Sequence, residues 1–200
     1  MTTTSSPRRI GAEDSNTRAR LLDAAERLLL EEGYAAVTSR RVAAKAGLKP
    51  QLVHYYFRTM DDLFLEVFRR RADQGFAQFE RAVAADGSLR ALWQLNADIG
   101  GAAFNIEFVA LANHRKAIRA EIARSAERFR AAQLEAVTAA LAALGITDEQ
   151  LPPVVALLMM TGLTQVISLE DALGVTAGHD TTLVFVEQAI ARVAQPPLHE

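Results

Sequence analysis

The stretch from Thr38 to Phe57 constrains this chain more than any other, because it encodes two short helices joined by a tight turn. Thr38 predicts a helix start: its hydroxyl can accept from an amide two or three residues on. Val42, Ala43 and Ala46 then form one apolar side, and Gly47 supplies a left-handed stop. Pro50 falls in the first turn of the next helix, where its missing amide would be unpaired anyway. That second helix runs for about two turns, with Val53 and Phe57 one turn apart and facing inward. Lys49, Gln51, Leu52, His54, Tyr55 and Tyr56 are left for its rim and outer face. So short a helix makes little core of its own, and its outer residues suit a polyanion.

The spacing fits a helix-turn-helix, whose second helix lies in a DNA major groove with its first residues against base edges. Gln51 can pair bidentately with adenine, and Leu52 can pack on a thymine methyl. Thr38, Ser39, Lys49, Tyr55 and Tyr56 suit phosphate oxygens, which set register without reading sequence. Arg40, on the first turn of the preceding helix, can reach a guanine or a phosphate. Pro50 and His54 complete the candidate DNA-contacting set. Taken singly, each residue has a plainer reading, since tyrosines and histidines on short helices often only pack. The constellation points to duplex DNA.

The run from about Thr17 to Arg71 resembles the DNA-binding domain of the TetR family of transcriptional regulators. The resemblance rests on Glu31-Glu32-Gly33-Tyr34, Val37-Thr38-Ser39-Arg40-Arg41-Val42-Ala43, Ala46-Gly47-Leu48, Tyr55-Tyr56-Phe57, and Thr59 opening a helix towards Leu63. It covers roughly the first third of the chain. Three positions depart from the family pattern. Lys49 stands where a small hydroxyl residue is common, Met60 where a phosphate-contacting lysine is common, and His54 where tyrosine is usual. The resemblance implies a dimeric, ligand-responsive DNA-binding protein of all-α fold.

Charge is distributed accordingly. Residues 1–58 carry ten Lys or Arg against six acids, and residues 59–200 carry twelve against eighteen, so a basic module of +4 precedes an acidic one of −6. The chain has no cysteine, which excludes a disulfide framework or thiolate metal site and is compatible with a reducing cytoplasm, the expected location. Residues 1–15 are polar and lack an apolar core segment, so they are expected to be a disordered leader rather than a signal peptide. An arm reaching a minor groove is the other reading of Arg8 and Arg9.

Residues 16–58 are expected to form the helix-turn-helix domain, and 59–200 a larger helical effector-binding and dimerisation domain. Leu21, Leu22, Ala25, Leu28 and Leu29 mark one side of a helix over 16–32. Thr59 and Asp62 form a capping box for a fourth helix that persists to Asp86-Gly87-Ser88 and belongs to both modules. Further helices are expected over about 89–103, with a break at Gly100-Gly101, and over 104–113, 116–144, 154–173 and 180–193. The helix from Val154 is apolar almost all round and must be covered on every side. Thr161, Gly162, Thr164 and Gln165 interrupt it too much for a membrane span, so no membrane partner is expected. Leu158, Leu163 and Val166, with Leu183, Val186 and Ile190 of the last helix, offer a face to a second copy as a four-helix bundle.

Catalytic constellations are absent from the sequence. His54, His114, His179 and His199 are far apart and at no metal-ligand spacing, no phosphate-binding glycine loop or nucleophile elbow occurs, and only Glu107 near His114 suggests an acid–base pair. No enzyme, metal or cofactor is expected. Trp93, Asn96, Phe104, Asn105, Phe108, Met159, Met160 and Gln165 combine apolar surface with a few polar groups, as the lining of a small-molecule cavity does, or fill an ordinary core. The sequence thus predicts a homodimeric repressor on a palindromic double-stranded operator, released by a hydrophobic or amphipathic effector. A helical small-molecule-binding enzyme and an interaction module without DNA binding are the competing classes.

Overall fold

The structure, a computed structural model, describes residues 8–97 and 102–193. The expected break at Gly100-Gly101, His199 and the first half of the expected leader lie outside the described residues. Within them every regular element is helical, as expected, and no strand occurs. The helices are α1 (Arg8–Glu32), α2 (Ser39–Ala46), α3 (Pro50–Tyr56), α4 (Met60–Ala85), α5 (Leu89–Ala97), α6 (Ala102–Ala112), α7 (Lys116–Ala143), α8 (Pro153–Ala172) and α9 (His179–Val193), with a 3₁₀ turn at Tyr34–Ala36. The helix starts and stops follow local chemistry. Thr59 and Asp62 cap α4 reciprocally: the Thr59 amide donates to the Asp62 carboxylate at 3.0 Å, and the Asp62 amide to the Thr59 hydroxyl at 3.1 Å. The first helix departs from expectation, starting at Arg8 instead of Asn16. Polar composition marked those residues as leader, yet Tyr56 ties them down by donating to Asp14 at 2.8 Å.

The helices form two compact units. The first holds the described residues up to Ala72 together with Phe104–Ile122; the second holds those of Asp73–Ala103 and from Ala123 onward. Residues 60–72 and 104–122 therefore pack with the helix-turn-helix, beyond the expected division at residue 58.

Helices α2 and α3, of eight and seven residues, are too short to stand alone and depend on tertiary packing. They find it on Leu21, Leu22, Ala25, Leu28 and Leu29 of α1 and on Leu63, Phe64, Val67 and Phe68 of α4, all buried. Phe104 and Phe108 of α6 close this core: Phe108 lies 4.6 Å from Phe104 and 5.2 Å from Phe68 by ring centroid. Arg70 of α4 is gripped by Asp23 at 2.6 Å and Glu26 at 2.7 Å of α1, and Arg18 pairs with Glu66 at 2.7 Å. Partly exposed pairs of this kind contribute about 1 kcal/mol or less each, so burial carries the stability and the pairs fix register. Glu107, suggested by the sequence as half of an acid–base pair, instead anchors backbone, its carboxylate accepting from the Tyr34 amide at 2.8 Å. Gly33 sits beside it at φ +80°, where a Cβ would be strained and would meet Glu107 Oε2 at 3.4 Å.

The core of the second unit is built from Phe79, Leu92, Trp93, Val137, Leu141, Leu157 and Met160. A polar pair, Gln133 Nε2 donating to Asn96 Oδ1 at 3.1 Å, is set among them, and Asn96 Nδ2 donates to the Leu92 carbonyl at 2.8 Å. His179, the first residue of α9, is buried with both ring nitrogens engaged: Nε2 to Glu170 at 2.7 Å and Nδ1 to Asp171 at 3.0 Å. Only the imidazolium donates to both carboxylates at once. Those contacts, that to Glu170 foremost, raise its pKa against both its burial and the helix N-terminus it occupies. Because the folded pKa lies above the ordinary 6.5, the stabilisation is complete below that value and is lost as pH rises through the raised one. The melting temperature of wild type relative to His179→Gln is therefore expected to be highest near pH 6 and to shrink on the alkaline side. A constant difference would show that the ring stays neutral.

Candidate nucleic-acid interface

Helices α2 and α3 present the outward face that the sequence implies. Thr38 has an extended backbone, and its hydroxyl accepts from the Arg41 amide at 3.4 Å. Gly47 ends α2 at φ +66°, and Arg20 of α1 braces the turn by donating to the Ala46 carbonyl at 2.6 Å. Pro50 takes the first turn of α3, Val53 is buried beneath it, and Phe57 closes its end, also buried. With those anchors inside, Gln51, His54 and Tyr55 are exposed, Tyr55 to 72 %.

The cations sort into two groups. Arg41 pairs with Glu32 at 2.5 Å and Lys45 pairs with Glu31, both acids lying at the end of α1. Arg40 and Lys49 are exposed and have no ion-pair partner among the described residues, which leaves their charge for an outside anion. The Arg41 guanidinium holds the Glu32 carboxyl below its ordinary pKa, so that pair stays charged at neutral pH.

Thr38, Lys49 and Pro50 are likewise exposed, and Ser39 is half-buried. Leu52 is half-buried against the first core, so less of it than expected is open to a thymine methyl. Tyr56 is half-buried too. Met60 packs on the same core where the family pattern has a lysine; Arg58, two residues before it, is an exposed cation that sequence reasoning passed over. Asp14 was missed as well, being assigned to the leader. No local signal marked it, since its partner Tyr56 lies far along the chain.

The residues named for a ligand cavity are dispersed. Phe104 and Phe108 are buried in the first unit, Trp93 and Met160 in the second; Asn96 is bonded to Gln133, while Asn105, Met159 and Gln165 are exposed. A cavity of about 530 Å³ in the second unit is lined by other residues, among them Leu89, Arg90, Ala139, Leu144 and Ile190. Of the residues named for a partner copy, Leu158 and Val166 are exposed on α8. Leu163, Leu183 and Val186 are half-buried on their own core, and Ile190 is buried within it. Val184 and Phe185 of α9, Leu169 of α8 and Leu173 just after it are exposed instead.

Comparison with known proteins finds a family likeness in this head. Residues 21–67 match the model for the tetR family of bacterial regulatory proteins. The chain is 36 % identical over 61 residues to the HTH-type transcriptional regulator BetI of Rhizobium meliloti (strain 1021), a match spanning 30 % of each chain. Solved structures extend the likeness in fold across both units. The transcriptional regulator SCO7518 of Streptomyces coelicolor A3(2) aligns over 90 % of this chain and 99 % of its own, at 25 % identity and a TM-score of 0.60. A regulator of Saccharomonospora viridis, solved in complex with choline, aligns over 86 % and 96 %, at 22 % identity and a TM-score of 0.67. The match to the tetR family of bacterial regulatory proteins thus falls on residues 21–67, the helix-turn-helix and the helices that frame it.

Proposed function

We propose that this protein is a cytoplasmic, homodimeric transcriptional repressor that binds a palindromic DNA operator and leaves it when a small effector binds. The observation that supports DNA binding most is the division of α3: Val53 and the following Phe57 are buried, while Gln51, His54 and Tyr55 face outward beside the unpaired Arg40 and Lys49. In this reading Gln51 meets a base edge, and Thr38, Ser39, Arg40, Lys49 and Tyr55 meet phosphates. Two heads related by a two-fold axis would enter successive major grooves about 34–36 Å apart. The exposed apolar stripe of α8 and α9 supplies the surface for the second copy. That role, with the polar interruptions at Thr161, Thr164 and Gln165, is favoured for α8 over a membrane span, although its 20 residues of mean hydropathy 1.5 are long and apolar enough for one.

The effector is proposed to be small and hydrophobic or amphipathic, held in the second unit near Trp93, Asn96 and Met160. The choline complex of the S. viridis relative supports a small-molecule ligand and makes choline the first probe in a melting-temperature screen. Release follows if the effector binds one conformation more tightly than the other. Helices α4 and α7, which each run from one unit into the other, offer the covalent route by which such a preference reaches the head.

Selection of bound sites from random duplexes, followed by gel shifts, tests the DNA-binding reading. Gln51→Ala is expected to lower discrimination at one position per half-site, by about 1–3 kcal/mol. Lys49→Ala is expected to weaken binding to every sequence alike and to reduce the salt slope by about one. Unchanged base preference after Gln51→Ala removes that residue from the readout.

A further inference from the structure

Tyr55 and Tyr56 are neighbours on α3 with different surroundings. Tyr55 is 72 % exposed, and its hydroxyl has no hydrogen-bond partner among the described residues. Tyr56 is half-buried, and its hydroxyl donates to Asp14 Oδ1 at 2.8 Å, linking α3 to the first turns of α1. A phenol has a single proton to donate, so the donor of Tyr56 is committed to α1. The raised pKa of Tyr56, due first to Asp14, agrees with that geometry. The two rings meet edge-on, with centroids 4.9 Å apart and planes at 90°, so the orientation of one supports the other.

A DNA phosphate seeking the Tyr56 hydroxyl would have to displace the Asp14 carboxylate as its acceptor and then sit close to that like charge. A phosphate at Tyr55 meets no such obstacle. We infer that Tyr56 is a positioning residue, fastened to α1 by Asp14, and that it holds Tyr55 as the tyrosine that contacts the DNA backbone. This rests on the DNA-binding reading above, and it makes Asp14 in the early turns of α1 part of what aims the recognition helix.

A double-substitution cycle on a duplex recovered by selection tests it, using the full-length chain and variants whose melting temperatures show them folded. Removing an acid near DNA strengthens binding in general, so the informative quantity is how Asp14→Ala acts with Tyr56 present and after Tyr56→Phe. A fastener makes Asp14→Ala about fivefold less favourable when Tyr56 is present. If Asp14 instead competes with phosphate for Tyr56, Asp14→Ala helps more when Tyr56 is present; that result, or no coupling, overturns the inference. Neutral methylphosphonates placed one at a time along the duplex supply the second measurement. Tyr55→Phe is expected to bind about tenfold more weakly and to become indifferent to the methylphosphonate at one position per half-site, whereas Tyr56→Phe stays sensitive there. Lost sensitivity in Tyr56→Phe overturns the assignment. Wild-type protein that binds no duplex at all is a different result, and it overturns the DNA-binding reading itself.

Discussion

Replacing Val166 and Phe185 together by glutamate is expected to give a folded monomer with little affinity for a full palindromic site. Val154, Leu158, Val166 and Leu169 fall on one stripe of α8, continued by Leu173 just after it, and are exposed by 44 % or more, with Val184 at 54 % and Phe185 at 63 % on α9. A soluble monomer seldom leaves so much contiguous apolar surface in water, since each covered Å² is worth about 25 cal/mol. Gly162 adds no side chain to that stripe and has nothing near its missing Cβ, which lets a second helix come close. A glutamate placed in a dry interface must lose its hydration or its charge, at a cost of several kcal/mol, whereas on an exposed face it is harmless to the fold. Half-sites are then bound separately, and the gain from tethering two heads, roughly 10²–10⁴-fold, is lost. Sedimentation velocity and gel shifts on full and half palindromes read both effects. A doubly substituted protein that remains dimeric with wild-type affinity would place the interface elsewhere.

Phe108→Ala is expected to destabilise the first unit by about 3–5 kcal/mol, a large share of the roughly 5–15 kcal/mol that a domain holds. Phe108 is 1 % exposed and touches Phe64, Phe68 and Phe104, with ring centroids 6.5, 5.2 and 4.6 Å away. Removing the ring leaves a void that the flanking helices cannot fill without shifting α4 under α2 and α3. Denaturant unfolding followed by circular dichroism gives the magnitude, and DNA binding should fall with it as the head loosens. The sequence also offered Phe108 as a ligand contact. Near-wild-type stability combined with a lost effector response would favour that role over packing.

The fold was legible where local chemistry decides structure. Thr38, Gly47, Pro50 and the Thr59–Asp62 box each mark a helix end by a hydrogen bond or backbone demand confined to a few residues. The inward side of α1 was equally readable, because Leu21, Leu22, Ala25, Leu28 and Leu29 repeat at the helical period. What sequence could not give are relations set by distant residues. Nothing local to Asp14 shows that Tyr56, far along the chain, draws it into a helix, and nothing local to Glu107 shows that it accepts from Tyr34. Phe104 and Trp93, grouped by sequence as candidate cavity residues, fill different cores, a division that no local pattern around either shows. For the DNA-contacting face, exposure of Gln51, His54 and Tyr55 follows from the inward anchors, while the pairing of Arg41 and Lys45 with Glu32 and Glu31 needed the third dimension.

The most direct test of the central claim is a fluorescence-anisotropy titration of the full-length protein on its selected palindrome and on a scrambled duplex, across a salt series. Specific binding at least about 10³-fold tighter than to the scrambled duplex is expected, with log affinity falling linearly as log salt rises. Equal affinity for both duplexes, or no binding to either at about 50 mM salt, would contradict a sequence-reading head at α2 and α3.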